Sequence, residues 1–493
     1  MYKETLSKDL SKFIKIESAT TKIAQSYVKF GISIIFLAMV WFVASSFSSG
    51  IDNPTYVVFA GVIGGYMALN IGANDVANNV GPAVGAKSLT MVGAILIAIV
   101  CEASGALIAG GDVVTTISKD IIETSQLPNS NIFIPAMMSA LLAAALWINI
   151  ATWVGAPVST THSVVGGVMG AGIAAAGFGV VNWPVMGKIA ASWVISPVMG
   201  GVIAALFLAF VKSKIIYQED KIAGARRWVP VLVALMAGVF SAYLCMKGLK
   251  RIWEPDPLMV TAIGLSTFIF TYAIMRPVIA RKSRDMENRN KSIRELFHIP
   301  LIFAAALLSF AHGANDVANA VGPLAAIVDS ATSGAVASRE VGIPPWVLFV
   351  GAIGISVGLM LFGPKLIKTV GSQITRLNPM RAYCVALSAA ITVIIATTMG
   401  LPVSSTHIAV GAIFGVGLFR EWKTSRQTHI NHGKFTQKKE PEARGLIKRE
   451  KAMYRKLVRR QHIMTIAAAW VITVPLSALL AGGLLYLIRI FVT

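Results

Sequence analysis

Acidic residues are scarce in this chain of 493 residues. Asp and Glu number 23 against 44 Lys and Arg, and charged residues of both signs make up only 14%. A soluble chain carries roughly 25%, so an ordinary water-soluble domain is excluded. Cysteine is nearly absent. Cys101, Cys245 and Cys384 lie in apolar runs, with no CxxC pair and no Cys/His cluster. That excludes a disulfide framework and a zinc finger, and leaves the three as small packing residues. No GxxxxGK[ST] occurs, which argues against a nucleotide-driven pump. No nucleophile–base–acid constellation and no metal-ligand spacing appears apart from His162 and His407, so an enzyme reading has little chemistry behind it.

Long apolar runs are abundant. They lie at Phe30–Phe47, Val57–Ile71, Leu89–Gly111, Phe133–Val154, Val164–Val181, Val185–Val211, Trp228–Met246, Leu258–Ile279, Ile299–Ala311, Val347–Leu366, Ala382–Met399, Ile408–Phe419 and Ile463–Val492. Runs of about 18 or more apolar residues read as membrane spans, and some of these are too short to cross alone. The chain reads as an all-α polytopic membrane protein with about twelve transmembrane helices. A β-barrel would show short alternating segments instead.

The net charge of +21 does not point to nucleic acid. The cations gather in Met1–Lys29, Lys212–Arg227, Arg276–Arg294 and Arg420–Arg460, and clusters between spans obey the positive-inside rule. All four are therefore placed on the cytoplasmic side of a cell (inner or plasma) membrane. The N-terminus is inside and, after the last span, the C-terminus is outside. The polar, Lys-rich start is longer than a secretory n-region and reads as leading into an uncleaved anchor.

Two motifs recur in the same order. "IGANDVANNVGPAVGA" begins at Ile71 and "HGANDVANAVGPLAAI" at His312; "GAPVSTTHSVVGG" begins at Gly155 and "GLPVSSTHIAVGA" at Gly400. Asp75 and Asp316 are 316 − 75 = 241 positions apart, and Thr161 and Thr406 follow them by 86 and 90 residues. This is an internal duplication. The organisation is residues 1–55 as N-terminal segment and first span, 56–211 as the first repeat, 212–296 as basic loops and two linking helices, 297–420 as the second repeat, 421–462 as a basic loop and 463–493 as the last span. By the count of crossings, one repeat enters from outside and the other from inside. Inverted-topology repeats are the architecture of secondary transporters, whose site lies where the repeats meet.

Gly72, Gly81 and Pro82 bracket the polar cluster of the first motif and weaken a continuous helix. A broken or re-entrant helix at membrane depth is tolerated where it lines a cavity. Asp75, Asn74, Asn78 and Asn79, repeated in Asp316, Asn315 and Asn319, supply oxygen ligands for a hard cation such as Na⁺. Asn74 and Asn78, spaced i, i+4, would share a helical face. In the second motif Pro157 or Pro402 precedes Ser and Thr, the signature of a capped helix start. Free backbone N–H groups, hydroxyls and the positive helix end suit a tetrahedral oxyanion, phosphate or sulfate. Ser159, Thr160, Thr161, Ser404, Ser405 and Thr406 are the candidates. His162 and His407 are placed to orient the site or relay a proton. Glu102 lies in an apolar run and has no acidic counterpart, because aligning Gly105 with Gly358 sets Ile355 at its place. An ionisable residue at depth is a functional candidate, here a cation ligand or a proton site. Lys87 and Asp112 sit near span ends.

The doubled "GANDVAN" and "PVS[ST]TH" motifs resemble those of the inorganic phosphate transporter (Pit) family, over roughly Val57–Val211 and Ile299–Phe419. The resemblance implies phosphate symport driven by Na⁺ or H⁺, a transport unit of motif-bearing broken helices, and a scaffold unit that dimerises. It implies that Asn74, Asp75, Asn315 and Asp316 join the Ser and Thr residues at phosphate, and that Asp75, Asn78, Asp316 and Asn319 hold the cation. No cofactor is implied beyond the co-transported ion. Both motif copies are nearly intact, which is closer to the sodium-coupled branch. The alternative is an H⁺-coupled phosphate or sulfate permease. Hydrogen phosphate donates a hydrogen bond that sulfate cannot, so a free Asp acceptor would favour phosphate. A passive anion channel would need no cation ligands. The segment from Glu421 to Arg460 is expected as a cytoplasmic loop near anionic lipid.

Overall fold

The computed structural model describes residues 2–51, 54–127, 130–154, 158–248, 255–334, 336, 342–369, 377–435 and 460–492. Pro157 and residues 436–459 of the basic loop lie outside them. The described chain is helical, with one isolated bridge between Ile122 and Val181. In order, the helices are α1 (Tyr2–Phe47), α2 (Pro54–Asn74), α3 (Ala77–Gly85), α4 (Met91–Ala109), α5 (Gly111–Thr115), α6 (Ser130–Val154), α7 (Thr160–Ala176), α8 (Trp183–Val211) and α9 (Lys221–Gly248). They continue as α10 (Pro257–Lys282), α11 (Asn290–Leu296), α12 (His298–Asp316), α13 (Ala318–Ser333), α14 (Pro345–Thr369), α15 (Pro379–Thr398), α16 (Ser405–Phe435) and α17 (Arg460–Val492).

Local sequence sets several of these ends. Asn182 and Asn378 cap α8 and α15 with a Pro in the first turn, and Thr90 caps α4 through a bond from the Gly93 N–H. Each cap satisfies one orphan donor of the first turn. Gly334, at φ 71°, closes α13 in the left-handed conformation that a Cβ disfavours.

Eleven helical segments among the described residues are long and apolar enough to cross a membrane, against about twelve expected. The difference lies in the helices that open at the second motif. At 17 residues, α7 extends about 25 Å, short of the roughly 30 Å hydrocarbon core. Burial separates two populations. The apolar stretch of His298–Ser333 is mostly buried within the protein, and that of Pro257–Lys282 hardly at all. The motif-bearing helices are the core, and α10 is peripheral.

The halves interlock through exchanged helix pairs. α2 packs on α14 and α4 on α12; α7 packs on α17 and α8 on α16. Glycines permit the closest approaches. A Cβ on Gly72 would lie 1.9 Å from the Ile355 carbonyl oxygen, and one on Gly313 would lie 2.1 Å from that of Glu102. This corrects the reading of Gly72 as a helix breaker. It sits inside α2 and lets two backbones touch, as small residues do at helix interfaces in lipid. Pro82 likewise lies inside a helix, α3.

The break falls at the motif centre, between Asn74 and Ala77, and at Val317 in the second copy. It is a kink more than an unwinding. Asn78 N–H donates to Asp75 O at 3.0 Å and Asn79 N–H to Val76 O at 3.1 Å, one turn of tighter i→i+3 bonding.

Candidate functional site

The kink presents Asp75 to the starts of both second-motif helices. Thr160 Oγ1 donates to Asp75 Oδ2 at 2.6 Å and Thr406 Oγ1 to Asp75 Oδ1 at 3.0 Å. Asn78 Nδ2 donates to Thr406 Oγ1 at 2.8 Å. From the other half, Asn319 Nδ2 reaches Thr161 Oγ1 at 3.2 Å and Thr160 Oγ1 at 3.3 Å. Thr161 Oγ1 donates in turn to Val403 O at 3.0 Å. Asp75, Asn78, Asp316, Asn319 and the Ser and Thr residues of both copies are all buried. Groups 85 to 331 positions apart in sequence therefore meet in one polar centre.

Within it, Asp75, His312 and Asp316 each offer a ligand atom within 4.8 Å of the others. Asp316 Oδ1, Asn319 Oδ1 and Ser405 Oγ are buried without a hydrogen-bond partner. Unpaired buried oxygens are costly, and carboxylate and amide oxygens are the donor set of a hard cation.

Asn74 and Asn78 do not share a face, because the kink falls between them. Asn74 Nδ2 bonds Thr152 Oγ1 of α6 at 2.8 Å, and Asn315 Nδ2 bonds Thr397 Oγ1 of α15 at 2.9 Å. Asn315 Oδ1 also accepts the Val403 N–H at 3.3 Å. These two amides tie the first motif to the helix that precedes the second. Ser159 and Ser404 cap α7 and α16 by accepting the N–H groups of His162 and His407, at 3.2 and 3.4 Å. The two imidazoles stand 4.9 Å apart between ring centres. That of His162 stacks on Trp193 at 3.7 Å and its Nδ1 lies 2.7 Å from Ser159 Oγ.

Glu102 is not among the three groups that converge for a cation. Its Oε1 accepts from Asn79 Nδ2 at 2.8 Å, and its Oε2 lies 2.6 Å from His312 Nδ1. His312 Nε2 is 3.0 Å from Asp316 Oδ2, at ion-pair distance without hydrogen-bond alignment. Both Glu102 oxygens are thus engaged by Asn79 and His312 in the described structure. Sequence reasoning passed over His312, although a signal was there. It takes the place of Ile71 in the first copy, just as Glu102 takes the place of Ile355 in the second. Two polar residues without counterparts, one in each half, compensate each other.

A helical membrane bundle with a doubled acid–hydroxyl centre at the meeting of its halves defines the class. The sequence profile of the phosphate transporter family matches residues 71–481, and the chain belongs to that family. A Helicobacter pylori (strain J99) protein named "Putative phosphate permease" is 52% identical over 409 residues, 83% of this chain and 77% of its own length. A Pyrococcus abyssi relative of the same description is 36% identical over 381 residues, 77% of this chain and 93% of its own. The solved structure titled "The sodium-dependent phosphate transporter" aligns with a TM-score of 0.77 at 33% identity. It covers 88% of this chain and 99% of its own. The family and these relatives are permeases, not enzymes.

Proposed function

We propose that the protein is a secondary active transporter that carries inorganic phosphate together with a cation, Na⁺ in preference to H⁺, by alternating access of two inverted repeats. The observation that carries this reading is the Asp75 carboxylate held by Thr160 and Thr406, one from each second-motif helix start. A cation drawn to Asp75 and Asp316, with Asn78 and Asn319, offsets carboxylate charge. It frees the hydroxyls of Thr160 and Thr406 to turn, beside those of Thr161 and Ser405, toward an oxyanion at the positive ends of α7 and α16. Ser159 and Ser404 hold those ends in shape, Asn74 and Asn315 fix the first motif against them, and His162 and His407 orient the two starts. Movement of one bundle against the other then exposes the loaded site to the second side. The working unit is taken as a homodimer with an N-terminus in the cytoplasm of a plasma or inner membrane.

A proton-coupled reading draws on the Glu102–His312–Asp316 chain, and sulfate is the rival anion. The test is labelled phosphate uptake into proteoliposomes under an imposed Na⁺ gradient or an imposed pH gradient, with excess sulfate as competitor. Uptake driven by Na⁺ and untouched by sulfate is expected. Uptake driven by the pH gradient alone replaces Na⁺ by H⁺, and strong competition by sulfate replaces phosphate as the preferred anion.

A further inference from the structure

A second cluster of charge lies away from this centre, at the start of α15. Arg381 is in the first turn, where the Asn378 side chain accepts its backbone N–H at 3.0 Å. A cation is disfavoured at the positive end of a helix. Others crowd it. Arg381 is within electrostatic reach of Arg420 and Arg294, and Lys212 is within reach of Lys423, Arg420 and Arg381. Lys212 follows the end of α8, Arg294 lies in the last turn of α11, Arg381 in the first turn of α15, and Arg420 and Lys423 near the middle of α16; α8, α15 and α16 pack on one another and α11 on α15. Lys212, Arg381, Arg420 and Lys423 are half-buried, and the Nε of Arg381 is buried without a hydrogen-bond partner.

Aromatic rings line the same rim. Lys423 Nζ sits 3.8 Å from the centre of the Tyr217 ring and Lys212 Nζ sits 5.2 Å from that of Phe419. Those contacts fix the ammonium groups without cancelling their charge. Five cations meet here. Arg294 is exposed and the other four are half-buried; half-buried like charges repel, and such an array is stable where an anion belongs.

We propose that Lys212, Arg294, Arg381, Arg420 and Lys423 form a binding site for a phosphate-bearing anion, separate from the transport centre. Guanidinium groups match phosphate oxygens by paired N–H bonds, and the α15 start adds its own N–H dipole. Lys212, Arg294 and Arg420 come from the three basic clusters that the positive-inside count places in the cytoplasm. The anion is therefore met on the inner side, either as the headgroup phosphate of an anionic phospholipid or as free inorganic phosphate. The aromatic rim suits the membrane–water boundary.

The test uses the full-length protein in vesicles of neutral phosphatidylcholine, with phosphatidylglycerol titrated in or inorganic phosphate added to the cytoplasmic face. The readout is the rise in thermal unfolding midpoint. It is compared for the parent, for Lys212→Gln with Arg381→Gln, and for Lys188→Gln on the far end of α8. The parent and Lys188→Gln should show the same dependence. In the double variant the apparent affinity should fall roughly fivefold per cation removed. A difference between the parent and the double variant with phosphatidylglycerol alone identifies the lipid headgroup, and a difference with inorganic phosphate alone, over the common shift from the transport centre, identifies the free anion. Equal responses of the parent and the double variant to both ligands overturn the proposal. Should the double variant fail to fold, Arg381→Lys keeps the charge but removes the fork, and an unchanged affinity in it together with an unchanged affinity in Lys212→Gln has the same meaning.

Discussion

Replacing Glu102 and His312 by isoleucine, singly and together, tests how the two halves are joined. In the other half the equivalent places are filled by Ile71 and Ile355, both fully buried, so the fold already accommodates the apolar pair. Glu102→Ile strips His312 of its partner, and removing one member of a buried ion pair costs about 3–5 kcal/mol. It also leaves the Asn79 amide, 2.8 Å from the lost carboxylate, without an acceptor, a further 1–3 kcal/mol or so. His312→Ile leaves Glu102 uncompensated at about 3–5 kcal/mol. The singles thus sum to about 7–13 kcal/mol. In the double variant the ion pair is gone from both sides, and apolar replacement of such a pair is often neutral or better. The Asn79 penalty stands, and so does the loss of the imidazole beside the Asp316 carboxylate, so the double variant should be less stable than the parent but well short of the summed single effects.

The assay is unfolding of purified protein in mixed micelles, read as a double-mutant cycle. A double variant more stable than either single is the expected result. If the two single effects add to within about 0.5 kcal/mol, Glu102 and His312 are not coupled and the account of His312 as an internal strut is wrong. The rescued double variant should nevertheless transport poorly, because Asp316 loses the imidazole 3.0 Å from its carboxylate. Recovery of stability without recovery of uptake separates the structural role of the pair from its role at the site.

Asp75→Asn and Asp316→Asn should each abolish Na⁺-driven phosphate uptake while leaving folded protein in the membrane; normal uptake in both would remove the carboxylates from the coupling site. Ser159→Ala with Ser404→Ala removes two helix caps, each worth about 0.5–2 kcal/mol. It should raise the phosphate KM and lower the thermal midpoint, and unchanged uptake kinetics would place the anion elsewhere. Gly313→Ala sets a methyl 2.1 Å from the Glu102 carbonyl oxygen and should sharply reduce the monodisperse fraction on size exclusion. Gly187→Ala, with nothing within 4 Å, should not.

The duplication made most of this legible in the chain. Two motifs at nearly equal spacing placed Asp75, Thr160, Thr161, Asp316 and Thr406 in one centre, because polar residues repeated at membrane depth have few other uses. Helix ends were readable where a side chain makes the cap after a Pro, as at Ser159 and Ser404. Three things escaped. The position of the kink depends on backbone bonding around Val76 and Val317, for which no residue type is diagnostic. Gly72 and Gly313 signal equally well a break or a close approach, and only the neighbouring helix decides. The Glu102–His312 contact joins residues 210 positions apart in different halves. It broke the repeat instead of following it, so a reading built on matching the copies saw Glu102 as a lone exception and passed over His312.

The charge balance of the centre carries one more consequence. Asp75, Glu102, Asp316 and His312 are each no more than 1% exposed. With every carboxylate ionised and the imidazole protonated, the sum is −3 + 1 = −2, before any phosphate arrives. An uncompensated charge of that size in a low-dielectric interior is strongly unfavourable, and a phosphate anion would deepen it. Glu102 and His312 cancel each other directly at 2.6 Å, which leaves Asp75 and Asp316 as two sites of unmet charge in the two halves. One monovalent cation answers only one of them. On the proposed mechanism, phosphate uptake should therefore rise sigmoidally with Na⁺ concentration, with a Hill coefficient above one. A hyperbolic sodium dependence in the parent would mean that one carboxylate carries a proton through the cycle, and phosphate uptake would then acidify the compartment that receives it.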